Sequence, residues 1–192
     1  MSTKGTQSWH ERLYRLMDTV RVNNISNSYA LSVIDDITAR ARVGEVYHFS
    51  HYFEEIGDGG NADLLVQTGA NLITIRVSLS AQKRTLYRAY EGTTITDPGS
   101  AVLETPRNRN TDFTFTSTVT HTPTVDTIGT NFAVDLVPAG QQNSASGGIG
   151  NDLAVWVLKP NTNYLLRATN ISGGSGGGSD TLIAGDIFED IL

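Results

Sequence analysis

From Gly44 onward the apolar residues of this chain recur with a period of two, and that pattern constrains the fold more than any other feature. In residues 71–80 (NLITIRVSLS), Ile73, Ile75, Val77 and Leu79 fall on one side; Leu72, Thr74, Arg76 and Ser78 fall on the other. Successive side chains of a strand point to opposite faces, so this is the signature of a strand with one buried face. Residues 46–54 repeat it, with Tyr47, Phe49, His51 and Phe53 sharing a face. Residues 63–68, 85–91, 112–121, 132–137, 152–158, 163–169 and 181–188 read as further strands. Turn chemistry separates them: GDGGNA (57–62), TDPGS (96–100), Thr122-Pro123-Thr124, the tetrapeptide KPNT (159–162), and glycine-serine loops at 138–151 and 172–179. Eight or nine strands at short spacing, with no helices alternating between them, predict a mainly β chain, an antiparallel sandwich or barrel. No internal repeat stands out in the sequence.

The first 43 residues carry a different pattern and read as an N-terminal arm on a β-sandwich domain spanning 44–192. Ser8 and Glu11 have the spacing of a capping box. Trp9, Leu13, Leu16, Met17 and Val20 then share one helical face, which predicts a short amphipathic helix. That face either packs on its own domain or docks on a partner. The stretch VNNISNSY (22–29) reads as a linker, and ALSVIDDITARAR (30–42) fits either helix or extended chain.

Composition narrows the function. The net charge is −6 and the pI about 5.1, which argues against general nucleic-acid binding; such binders show a basic face. There is no cysteine, hence no disulfide, no thiolate nucleophile and no cysteine-ligated metal. No apolar run has the length of a membrane span or of a leader's core, so the expectation is a soluble protein made in a cytoplasm.

Motifs for chemistry are weak. His48 and His51 are three apart on a strand, so their imidazoles diverge. The adjacent pairs Asp35-Asp36 and Glu54-Glu55 do not face one another as a glycosidase's carboxyls must. Asp58 and Asp63 lie among glycines, but their spacing matches no EF-hand. Gly173 to Gly178 has neither a lysine nor a following helix to make a phosphate cradle. The chain therefore reads as a non-enzyme with no cofactor and no metal. The remaining feature is Arg107-Asn108-Arg109-Asn110, ahead of a segment in which nine threonines fall between Thr111 and Thr130. Arginine forks and asparagine amides suit a structural corner or a subunit interface.

The segments YEG (90–92), PRNRN (106–110), HTPTV (121–125) and WVLKPNTNYLLRATN (156–170) occur in this order, after ITARARVGEVYHFSHYF (37–53). In these segments the chain resembles the small β-sandwich decoration, or cement, proteins of tailed-bacteriophage heads, over about residues 37 to 170. The chain ends IFEDIL, where such chains often finish with a Trp-Tyr pair. The resemblance implies a jelly roll-like sandwich that sits on the outer face of the virion and clamps neighbouring major capsid subunits. It implies a homo-oligomer, dimer or trimer, with no direct contact to nucleic acid or membrane. Candidate contacts with capsid or sister subunits are Trp9, Leu13, Leu16 and Val20 on the arm, and Arg107 and Arg109 at the knot. The alternative expectation is a receptor- or carbohydrate-binding module of a tail or spike, which exposed Trp156, Tyr87 or Tyr90 rings would favour.

Overall fold

The computed structural model describes residues 20–25, 28–33, 36–110, 115–138, 151–174 and 177–190. In chain order these form β1 (Val20–Ile25), β2 (Ser28–Val33), helix α1 (Asp36–Val43), β3 (Val46–Ile56), β4 (Asn61–Gln67), β5 (Leu72–Ala81), β6 (Thr85–Glu91) and β7 (Thr94–Asp97). There follow β8 (Ser100–Ala101), β9 (Thr105–Pro106), β10 (Thr118–His121), β11 (Thr124–Thr127), β12 (Thr130–Val137), β13 (Asn151–Leu158), β14 (Asn163–Asn170) and β15 (Ser179–Asp190).

Two antiparallel sheets carry the eight long strands. One has the order β13-β5-β15-β3-β9, the other β12-β6-β14-β4-β10-β8. Successive long strands pass from sheet to sheet, except that β6 and β12 share one. This is the winding of a double-sheet jelly roll, with β7 to β11 inserted between its fourth and fifth strands. The alternation read from the sequence sets which face is buried. Along β5, Ile73, Ile75, Val77 and Leu79 are buried and the residues between them are half-exposed. They meet Leu64 and Val66 of β4, Tyr87 of β6 and Leu166 of β14 in one core. Gly185 of β15 faces inward where a Cβ would lie 2.3 Å from the Arg76 carbonyl oxygen and 2.7 Å from the Phe49 ring, so the ring takes the side chain's place.

The insertion is built from two matching segments thirty residues apart, a repeat not evident in the sequence. Residues 91–100 and 121–130 have the same pattern of strand, turn, strand. Gly92 (φ 74°) corresponds to Thr122 (φ 56°), and Gly99 (φ 82°) to Gly129 (φ 83°). The two segments cross antiparallel, pairing Thr124 with Asp97 and Thr127 with Thr94. Correspondingly β6 pairs with β12, and β10 with β8. A local pseudo-two-fold therefore relates the halves. Each late glycine lies against the other half: a Cβ on Gly99 would meet the His121 carbonyl oxygen at 2.2 Å, and one on Gly129 the Glu91 carbonyl oxygen at 2.4 Å. Beside the insertion, Leu65, Tyr90 and Leu165 point away from the core yet are buried, and the Thr120 hydroxyl donates to the Pro98 carbonyl at the turn.

Three sequence expectations change. The stretch 22–29 is not a linker: its described residues belong to the β1–β2 hairpin, whose register pairs Val20 with Val33 and Val22 with Leu31. Residues 30–42 divide, with β2 ending at Val33 and α1 starting at Asp36. The strand expected at 112–121 begins only at Thr118 among the described residues. Upstream, Phe115 stacks on Tyr47 with ring centroids 5.0 Å apart. The Thr116 N–H donates to the buried Glu189 carboxylate at 2.9 Å, and its hydroxyl donates to the same group. A buried acid that must be satisfied takes these residues out of the ladder. The helix expected from Ser8 lies outside the described residues, apart from Val20, which opens β1.

Candidate functional site

The arginine-asparagine knot follows β9 directly. The Arg107 N–H donates to the Val46 carbonyl at 2.9 Å, continuing the β3–β9 pairing by one residue. Its side chain forks onto Asp186 of β15, with Nε to Oδ1 and Nη2 to Oδ2 both at 2.7 Å. His48 Nδ1 lies 3.1 Å from the same Oδ1. Asp186 stands in register between His48 on β3 and Arg76 on β5. Its side chain is 11% exposed, against 45% for Arg107, so a nearly buried acid is held by a half-solvated guanidinium. Such a two-pronged charged pair is strong and directional.

The next residue reaches the arm. Asn108 Nδ2 donates to the Arg42 carbonyl in the last turn of α1 at 2.8 Å. Asn108 Oδ1 accepts the Asn110 N–H at 3.0 Å and closes its own turn. One asparagine thus fixes both the loop and the helix end. Gly44, at φ 90°, stops the helix: its N–H donates to the Ala41 carbonyl, and the Glu45 N–H donates to the Arg40 carbonyl, both at 3.1 Å. That pair of bonds is a Schellman cap, and it turns the chain straight into β3. The knot is therefore a structural corner that pins the root of the arm to the sandwich.

Two cavities open at this corner. One, of about 360 Å³, is lined by Thr38, Ala41, Arg42, Arg107 and Asn108. The other, of about 210 Å³, lies over the outer sheet face at His48, Arg76, Ser78, Arg107, Gly185 and Asp186. Arg42 and Arg109 are exposed and, among the described residues, their side chains make no hydrogen bond or ion pair.

Of the contact residues expected from sequence, Arg107 is tied to Asp186 here, and Arg109, two residues on in the same loop, is exposed with no side-chain partner among the described residues. Trp9, Leu13 and Leu16 lie outside the described residues, and Val20 opens β1. Sequence reasoning singled out Asn108 within the knot but missed Arg42 and Asp186 as members of the site. Arg42 could not be placed while residues 30–42 fitted either helix or extended chain. Nothing in the sequence marks Asp186 as the mate of an arginine 79 residues away.

Other candidates resolve into structural roles. His48 and His51 diverge, His48 to Asp186 and His51 onto His121, whose ring stacks with its own at 3.7 Å between centroids. Burial, and secondarily the neighbouring His121, lower the pKa of His51. Asp63 is paired with Arg167 directly across β4 and β14, by two bonds of 2.7 Å between side chains only 13% and 18% exposed. Asp63 thereby raises the pKa of Arg167. Asp58 Oδ1 accepts the Gly173 N–H at 2.8 Å. Among the described residues no three histidines or acids gather as a metal-holding group. Tyr87 and Tyr90 are buried, and Trp156 packs on the core with its ring 5.8 Å from Phe132. No described helix is long and apolar enough to cross a membrane. No family model, curated protein or solved structure matches this chain.

Proposed function

We propose that this chain is a structural virion protein that decorates the outer surface of a tailed-phage capsid and clamps neighbouring major capsid subunits. The observation that carries the reading is the corner itself. PRNRN, one of the segments resembling the decoration proteins, ties the arm to the sandwich through Arg107–Asp186 and Asn108–Arg42. A clamp needs a stiff joint between the body that sits on one subunit and the arm that reaches the next. A second such segment, KPNT, forms another rigid joint. Asn161 N–H donates to the Gly69 carbonyl at 2.8 Å, and Thr68 and Thr162 exchange bonds between hydroxyl, N–H and carbonyl. Many equivalent copies on a lattice add weak contacts through high effective concentration.

The working form is a homo-oligomer, a dimer or trimer, built on the open edges β12 and β13. There Val134, Val155 and Val157 are 60%, 59% and 66% exposed, with Phe132 and Leu136 alongside. Exposed apolar edge strands are what subunit contacts bury. The reading has no enzymatic step, no cofactor, and no membrane or direct nucleic-acid partner. The alternative, a carbohydrate- or receptor-binding module of a tail or spike, draws no support from Tyr87, Tyr90 or Trp156, none of which forms an exposed platform.

Co-sedimentation with heads lacking the protein tests the proposal. The full chain and a chain lacking residues 1–35, which keeps α1 and the corner, are compared. Binding by the full chain and loss without the arm is the expected result; failure of both to bind intact heads refutes the decoration reading.

A further inference from the structure

The corner also carries charge that its own fold does not use. Within a chain of net charge −6, Arg42 and Arg107 line one cavity where α1 meets the loop after β9, and Arg109 lies two residues further along that loop. Of these arginines Asp186 pairs with Arg107, while also meeting His48, and Arg107 spends two of its five N–H donors on it. Arg42 and Arg109 are exposed without a side-chain partner among the described residues. The cavity of about 360 Å³ at this corner has Arg42, Arg107 and Asn108 in its wall, and Arg109 follows two residues after Arg107 in the same loop. Basic residues in the last turn of a helix also favour its dipole, which accounts for Arg40 and Arg42 on α1 but not for Arg109.

We infer that this cavity is a docking site for an acidic protein segment, its carboxylates received by Arg42 and Arg107 in the wall and by Arg109 on the loop that continues from it. Charge complementarity favours that occupant. Guanidinium forks match carboxylates in geometry as well as sign. A nucleic-acid strand fits less well: stable binding to a phosphate backbone draws on roughly six to ten cationic contacts, and the acidic remainder of the chain repels it. This inference rests on the capsid reading for the identity of the partner, an acidic loop of a capsid subunit, but not for the chemistry of the site.

Two measurements separate those levels. The first is titration of the full chain with a fluorescent glutamate peptide of about ten residues, with an oligodeoxynucleotide of equal charge as competitor. The peptide is expected to bind in a salt-sensitive manner, and Arg42→Gln with Arg109→Gln to weaken it by about fivefold at low salt. Among the described residues these two side chains make no hydrogen bond or ion pair, so the double variant is expected to melt close to the wild type, less only Arg42's small contribution at the helix end. Arg84→Gln, at an exposed position outside the corner, leaves binding unchanged. No peptide binding, equal binding by the double variant, or preference for the oligodeoxynucleotide overturns the inference. The second is co-sedimentation of the double variant with heads. If the wild-type chain binds heads and the double variant binds equally well, the acidic-segment site is wrong while decoration stands. If the wild-type chain does not bind heads but the peptide result holds, the site stands and the partner is wrong.

Discussion

Asp63 and Arg167 face one another across two central strands, with both side chains mostly out of water. Removing one charge leaves the other buried and unpaired, which typically costs about 3–5 kcal/mol. Asp63→Asn is therefore expected to lower the urea midpoint sharply without changing the slope, while a paired apolar replacement of both residues recovers most of the loss. His51 gives a pH signature. Its pKa in the fold lies below the ordinary imidazole value of 6.5, so the unfolded chain takes up the proton first as pH falls. Its contribution to stability is complete above that value and is lost progressively below it, down to the depressed value in the fold. Denaturation midpoints at about pH 7.5 and about pH 5.5 should differ less in His51→Phe than in the wild type; an unchanged difference would show that the His51–His121 stack does not govern this step.

At the scale of elements, most of the sandwich was legible in the sequence. β5 and β6 show period two because one face is buried and the other is largely half-exposed, whereas β14 at Tyr164–Leu166 and β15 from Ile183 to Glu189 are buried on both faces; the Pro-Gly, Lys-Pro-Asn and glycine clusters fall at turns. The hidden parts have physical causes. The insertion's repeat was masked because one of its two left-handed positions in the second half is Thr122, where the first half has Gly92. Threonine there bears a conformation that costs a β-branched residue on the order of 1–2 kcal/mol, and sequence alone does not announce it. The departure of Phe115, Thr116 and Ser117 from the ladder depends on Glu189, 73 residues beyond Thr116. The corner was half legible: Arg107 and Asn108 stood out, while Asp186 and Arg42 needed the fold. The pseudo-two-fold makes a paired prediction. Gly99→Ala and Gly129→Ala each place a Cβ against the opposite half at positive φ, so each should destabilise by about 2–3 kcal/mol, and by similar amounts. Thermal melts of the two variants check it; a tolerated alanine at either site would break the equivalence of the halves.

At the scale of the whole molecule, two features stand out among the described residues: the corner at the end of α1 with its exposed arginines, and an apolar edge along β12 and β13. The edge predicts self-association. Val155→Lys with Val157→Lys should convert the oligomer to monomer in light scattering while the melting transition persists, since both side chains lie on the outer face of an edge strand. The role proposed for the chain is mechanical: to stabilise a shell against its packaged DNA. The direct measurement is the temperature at which heads lacking this protein release DNA to an external dye, with and without added chain. The account predicts that saturating wild-type chain raises the release temperature and that the chain lacking residues 1–35 does not. Binding at full occupancy with an unchanged release temperature would contradict it.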